Sequence, residues 1–305
     1  MLNYLVSEEI NKVKWDKCIE SSVANQLYGY SWYLDLVSPG WCAIVEDDYE
    51  SVMPLPVKKK YGIRYIIQPP HTQQLGVFAK GECDAGKISS FIDVIPTFYK
   101  LIDINLNHSN DTSGLSFKFG KKTNYELMLS GSKDSLKKKY SENTGRNVQK
   151  AINDAEVFEN ITTNEIAGLI KENPVQEMST GQFNWIKHFM EKIEERGDKL
   201  IVGAYHNGVL CAAVFLINFK GRIYYIIPVS TSTGKEKRAM FAILDYIIGK
   251  YAGSNTILDF EGSNIEGVAR FYKGFGASPI SYSRIRIVRL PIIFKFLLKK
   301  ITIVR

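Results

Sequence analysis

Two carboxylates set two residues apart carry the clearest chemical signal in this 305-residue chain. Asp259 and Glu261 alternate with Leu258 and Phe260, so on an extended strand both project to one side, roughly 7 Å apart by strand rise. Placed so, they suit a general base or a group that binds an amine. They equally suit capping of the turn at Gly262 and of the following helix, where Ser263 or Asn264 fits the N-cap and carboxylates complement the helix dipole. Arg146, Gln149, Lys150 and Asn153 recur at helical spacing opposite Val148, Ala151, Ile152 and Ala155. Such a row either grips phosphate or carboxylate oxygens, Arg146 best through its planar fork, or forms a solvated face. Gln68, Gln73 and Gln74 flank a Pro69-Pro70 bend, where amides suit contact with a polar ligand as well as ordinary turn chemistry.

Other chemistries lack their residues. Cys18, Cys42, Cys83 and Cys211 are far apart with no CxxC, which points to plain core cysteines in a reducing cytoplasm. His71, His108, His188 and His206 form no HExxH and no cluster with metal-ligand spacing, so no metal is expected. The N-terminal stretch has acidic residues where a signal peptide needs a basic one, and no export is expected.

At 45% hydrophobic and 23% charged, the chain is too apolar for disorder, and its length suggests about two domains. The net charge of +7 is unevenly placed. Residues 121–150 hold eight basic against three acidic side chains, and residues 284–305 hold seven basic and no acidic one. Two basic segments on a mildly acidic body suggest an anionic partner met at defined places; solubilising surface charge explains them as well. No run reaches the roughly 18 apolar residues of a membrane span. The nearest approach is the tail 291–305, where Lys295, Lys299 and Lys300 interrupt an apolar series. Such a basic amphipathic helix lies on an anionic membrane or docks on the protein body.

The elements that must hold these residues read as mixed α/β (α+β), in two similar halves. In the first, residues 41–45, 52–57 and 65–67 read as extended, 88–101 as an amphipathic helix, and 102–106 and 125–129 as strands. In the second, Asn207-Gly208 and Lys220-Gly221 are hairpin turns joining strands 200–205, 209–219 and 222–229. A helix over 240–251, a strand over 256–260, a helix over 268–275 ended by Gly276, and a strand over 282–288 follow. On that last helix Lys273 lies about 140° from Val268, off the stripe of Val268, Phe271, Tyr272 and Phe275, which makes it a solvated lysine. Tyr272 is a core residue able to turn its hydroxyl toward a groove. The expected organisation is 1–131, 132–290 and the tail 291–305, with residues 132–195 mostly helical and the break at Ser130-Gly131-Ser132.

This element order, and above all LDFEGSNIEGVARFYKGFGA over residues 258–277, resembles the GNAT acyltransferase superfamily, in particular its Fem-like branch of tandem GNAT domains. NYELMLSGSKDSLKKKYSENTGRNVQKA, SWYLDLVSPGW and QPPHTQQLGVF extend the resemblance over most of the chain. The resemblance implies two tandem GNAT-like domains, a degenerate first and a catalytic second. It further implies transfer of an acyl or aminoacyl group to an amine in a groove where two parallel strands splay apart. That reaction needs a neutral amine, donors aimed at the developing oxyanion and a route for the amine's proton, and no covalent nucleophile. In these terms Lys273, Asp259 and Glu261 are the expected catalytic residues, Lys273 with the strand backbone at 228–230 stabilising oxyanion charge. Arg146, Lys150, Gln73, Gln74, Tyr225 and Tyr272 are expected at the substrate.

Where GNAT enzymes bind coenzyme A pyrophosphate with a glycine-rich Q/RxxGxG/A loop, this chain has STSTGKEKR, keeping only Gly234. Ser230, Gly234, Lys235 and Arg238 are the expected donor contacts, at a helix N-terminus suited to phosphate. The donor is acyl-CoA or aminoacyl-tRNA, since Fem-like members that use aminoacyl-tRNA also lack the full motif. The acceptor is expected to be an amine on a cell-envelope precursor or similar anionic metabolite. The other reading is a non-catalytic scaffold of the same fold that contacts membrane or nucleic acid through its basic segments.

Overall fold

The computed structural model describes residues 1–115, 119–174, 177–262 and 264–290, the Phe119 side chain excepted. Ser263 and the tail 291–305 named above lie outside the described residues. In chain order the elements are β1 (Leu2–Leu5), α1 (Lys12–Ser21), α2 (Ser31–Val37), β2 (Cys42–Glu46), β3 (Ser51–Leu55), β4 (Val57–Lys60), β5 (Ile63–Ile67) and β6 (Phe78–Ala79). Next come α3 (Ala85–Val94), β7 (Tyr99–Asn105), β8 (Phe119–Met128), α4 (Lys133–Lys137), α5 (Glu142–Asp154), β9 (Glu156–Phe158), α6 (Thr163–Glu172) and α7 (Thr180–Glu195). The chain continues through β10 (Lys199–His206), β11 (Val209–Phe219), β12 (Arg222–Ser230), α8 (Ser232–Glu236), α9 (Ala239–Tyr251), β13 (Ile257–Asp259), α10 (Glu266–Gly274) and β14 (Ser278–Val288). By internal contact the described residues form two compact units, 1–122 with 281–290, and 123–280.

In the N-terminal unit β2 pairs antiparallel with β1 and β3, and β3 with β6. Separately, β5 pairs antiparallel with β4 and parallel with β7, and β7 takes β14 on its other side. Ile44, Met53, Ile66, Ile102 and Ile285 build its core with Ile88, Phe91 and Ile92, the apolar face of α3. That helix stops at Val94 rather than running on to 101, because Pro96 disfavours helical backbone at the residue before it. Tyr99 and Leu101 therefore begin a strand, and Phe98 is left 42% exposed. Asp103 on β7 is fully buried and takes both Nε and Nη2 of Arg284 at 2.5 Å, a bidentate pair.

In the C-terminal unit the strands lie in the order β8-β13-β12-β11-β10-β9. All neighbours there are antiparallel except β12 and β13. A parallel pair needs a crossover, and α9 supplies it. Ile243, Leu244, Ile247 and Ile248 of α9 and Val148 and Ala151 of α5 pack on Val202, Val214, Ile223 and Leu258 of the sheet. Of the region expected to be helical, α4, α5, α6 and α7 form as such, but β9 interrupts them and pairs with Gly203–Tyr205 on β10.

Beyond β13 the chain turns through Glu261 and Gly262, both left-handed at φ 63° and 64°. A Cβ on Gly262 would lie 2.2 Å from the Thr123 carbonyl oxygen and 2.7 Å from the Asn124 Cα, so no side chain fits. Gly262→Ala is expected to cost about 2–4 kcal/mol in urea unfolding. Gly267→Ala, in α10 with open space around it, should be neutral or stabilise by up to about 1 kcal/mol.

Candidate active site

The parallel pair is short. Arg222, Ile223 and Tyr224 of β12 face Ile257, Leu258 and Asp259 of β13, and there β13 ends. β12 runs on to Ser230 with β11 alone, while Phe260 stays with the opposite neighbour, its N–H donating to the Tyr125 carbonyl at 2.9 Å. A bulge helps to part the strands: Leu216 faces Tyr225 and Phe215 faces Ile227, so Ile226 has no opposite residue and β12 bends. The base of the parting is filled by rings. Phe260 stacks on Tyr272 at 4.7 Å, and Tyr225 lies 6.0 Å from both. Tyr125 lies 6.1 Å from Tyr272.

The two carboxylates have unlike surroundings. Asp259 is fully buried; its Oδ2 accepts from Arg222 Nη1 at 2.8 Å, and its Oδ1 from Asn124 Nδ2 at 2.9 Å and from the Glu261 N–H at 3.0 Å. Arg222 Nη1 also reaches Glu126 Oε1 at 2.6 Å. Burial raises the Asp259 carboxyl's proton affinity, and Arg222 works against that rise. Burial likewise opposes the Arg222 charge, but the Asp259 and Glu126 carboxylates outweigh it and hold the guanidinium protonated. Asp259 is thus committed on every side to β8, β12 and its own turn.

Glu261 is the reverse case. Its Oε1 is shielded from solvent and has no hydrogen-bond partner, and burial pushes its carboxyl well above the usual carboxylate range. Burial and, after it, the Glu261 charge push up the Tyr272 hydroxyl, and burial pushes Tyr225 up strongly. The backbone at Glu261 is itself in a region that costs a non-glycine residue energy. Half-buried Glu261 thus holds a shielded, unpartnered oxygen at a left-handed backbone position, an arrangement suited to taking up a proton or a cation.

Lys273, in the last turn of α10, is exposed, and its Nζ sits over the Tyr125 ring at 5.7 Å. Tyr125 couples that ammonium to the ring cluster under Glu261, a contact the 140° position on the helical wheel does not reveal. Arg146 and Lys150 stand on the exposed face of α5, opposite Thr144, Val148 and Ala151, with Arg146 ion-paired to Glu142 at 3.7 Å. Ile152, expected on the packed side of α5, is 47% exposed. It lines a groove of about 550 Å³ with Ala155, Ala242, Tyr246 and Gly249 rather than the parting of the strands.

Ser230 ends β12, and Thr231 caps α8 by accepting from the Gly234 N–H at 3.0 Å. Gly234 is spent on packing, since a Cβ there would meet the Cys211 carbonyl oxygen at 2.1 Å. Lys235 is exposed, and Arg238 sits left-handed at φ 58° just before α9, whose start no side chain caps. Those two cations and the uncapped helix start suit a phosphate. Gln73 and Gln74 belong to the N-terminal unit, where both are buried. Gln74 donates to Gln73 Oε1 at 2.7 Å and accepts from the His108 N–H at 2.9 Å, so these groups have partners within the N-terminal unit.

Arg222, Glu126 and Asn124, which fix Asp259, were not among the expected residues. Their signal is a charged or amide side chain inside otherwise apolar strands.

No protein-family model matches the chain, and no curated protein matches it in sequence. Solved structures match it in shape. FemX superposes at a TM-score of 0.69 with 12% identity over 97% of this chain and 99% of that one. A conserved protein of unknown function from Bacteroides thetaiotaomicron matches at 0.56 with 12% identity, over 94% and 100%. L-PGS from Bacillus licheniformis matches at 0.54 with 10% identity, over 97% of each chain. The chain therefore has a fold like that of FemX, a mixed sheet flanked by helices.

Glu261 binds its proton more tightly in the folded than in the unfolded chain, so its contribution to stability falls as pH rises above the unfolded carboxyl value of about 4.3. Urea unfolding at several pH values is expected to show Glu261→Gln gaining on the wild type from pH 4 to pH 8. A difference between the two that does not change with pH contradicts the assignment.

Proposed function

We propose that the chain is an N-acyltransferase that moves an acyl or aminoacyl group from an activated, phosphate-bearing donor to an amine, with the chemistry in residues 123–280. The observation that carries this reading is half-buried Glu261, whose solvent-shielded Oε1 has no hydrogen-bond partner, two residues past the end of β13. The Fem-like fold supports it. In this reading the amine enters as an ammonium drawn by Glu261, gives that carboxylate its proton and attacks the donor carbonyl carbon. The carbon–sulfur bond of acyl-CoA, or the carbon–oxygen ester bond of aminoacyl-tRNA, breaks as the amide forms. Glu261 passes its proton to the departing sulfur or oxygen and, again a carboxylate, takes the second proton from the amide nitrogen and releases it to solvent.

Lys273 and the Ser230 N–H face the oxyanion charge; the Val229 N–H points to β11 and Pro228 has no N–H to give. Asp259 acts on the reaction through the turn it holds rather than as the base. Tyr225 and Tyr272 wall the amine site. Lys235 and Arg238, with the start of α9, hold donor phosphate, and Arg146 and Lys150 hold an anion of the acceptor. An amine on a cell-envelope precursor, which carries such anions, is the acceptor class that fits.

The test is a transfer assay with acyl-CoA and aminoacyl-tRNA donors and amine acceptors. Glu261→Gln is expected to lower kcat by about 10²–10⁴. Lys273→Ala is expected to lower it by about 10²–10³ while changing stability by no more than about 1 kcal/mol. Transfer unaffected by either change contradicts the reading. A tRNA donor is marked by steep salt dependence of binding, acyl-CoA by a shallow one.

A further inference from the structure

We propose that one end of the N-terminal unit, built on the β4–β5 hairpin, is a docking surface for an anionic lipid bilayer. Lys58 and Lys59 are exposed on β4, Lys60 is half-exposed, and Arg64 follows on β5. No acidic residue occurs between Glu50 and Glu82 to offset them. Tyr61, at the tip, is 68% exposed in a left-handed turn, with Lys60 Nζ 5.4 Å from its ring. Phe98 is 42% exposed, with the Arg64 guanidinium 5.1 Å above its ring.

The strand register gathers more charge at the same end. Arg64 lies beside Tyr99 of β7, and Leu101 of β7 lies beside Val288 of β14. The Arg289 N–H donates to the Lys100 carbonyl at 2.9 Å, so the chain leaves β14 next to Phe98 and Lys100. Asp93 is a carboxylate within electrostatic reach of Arg289.

Lysines on an edge strand also discourage strand pairing between molecules. That role leaves the exposed Tyr61 and Phe98 unexplained. Cations set around the exposed rings of Tyr61 and Phe98 match the two layers of a lipid surface, charged headgroups above acyl chains. Binding of an RNA backbone by the cations alone is the competing outcome that the test separates.

The test is co-sedimentation of the full chain with phosphatidylcholine vesicles, with and without 30% phosphatidylglycerol. Binding is expected only to the anionic vesicles and is expected to be lost at high salt. The triple change Lys58→Gln, Lys59→Gln and Lys60→Gln is expected to weaken it by about fivefold per lysine. Tyr61→Ser, at an exposed turn, is the second variant and is expected to weaken binding without changing its salt dependence. Melting curves of both variants separate lost docking from lost fold. Equal binding to both vesicle types, or unchanged binding by both variants, overturns the proposal. So does a triple variant that keeps its vesicle binding but loses affinity for bulk tRNA.

Discussion

A carboxylate with no access to water must find its partners inside the protein, and Asp259 finds them on both neighbouring strands at once. Arg222 comes from β12, Asn124 from β8, and the Glu261 N–H from the chain's own next turn. Removing one partner of such a buried cluster leaves an uncompensated charge, at a cost of about 3–5 kcal/mol. That penalty pins the last residue of β13 in place. It sets the point beyond which β12 continues without β13, and it fixes the turn that carries Glu261.

The division of labour between the two carboxylates follows from surroundings rather than residue type. Asp259 has its oxygens met from several directions, whereas the Glu261 Oε1 has none. Two like groups whose environments push them apart can serve separate roles, one holding the frame and the other moving a proton. Tyr125, Tyr225, Phe260 and Tyr272 pack into one ring cluster, and Lys273 stands over its outer ring. A short strand end thus becomes a place where an amine proton has somewhere to go.

Much of the fold was legible because its signals are local. The Asn207-Gly208 turn joins β10 to β11 with both residues left-handed, and Gly276 ends α10 at φ 87°, as their chemistry requires. The end of α3 was legible too, in Pro96, but the apolar spacing of Phe98 and Tyr99 outweighed it in the helical reading. The three-residue β9 has almost no pattern of its own and exists because β10 offers it an edge. At the site, strand alternation put Asp259 and Glu261 on one side of an extended strand, but β13 ends at Asp259 and Glu261 sits in a left-handed turn, so the two carboxylates do not share a strand face. The purpose of Gly234 was likewise illegible, because the Cys211 carbonyl that excludes a side chain there comes from another strand.

The most direct test of the account is amide hydrogen exchange across β12, with and without a donor that supports transfer. The parting of the strands predicts that donor binding protects amides in residues 225–230 and leaves those of Arg222–Tyr224, already paired with β13, unchanged. Protection confined to other parts of the chain, with residues 225–230 exchanging as before, would contradict the claim that the acyl group lies where β12 and β13 separate.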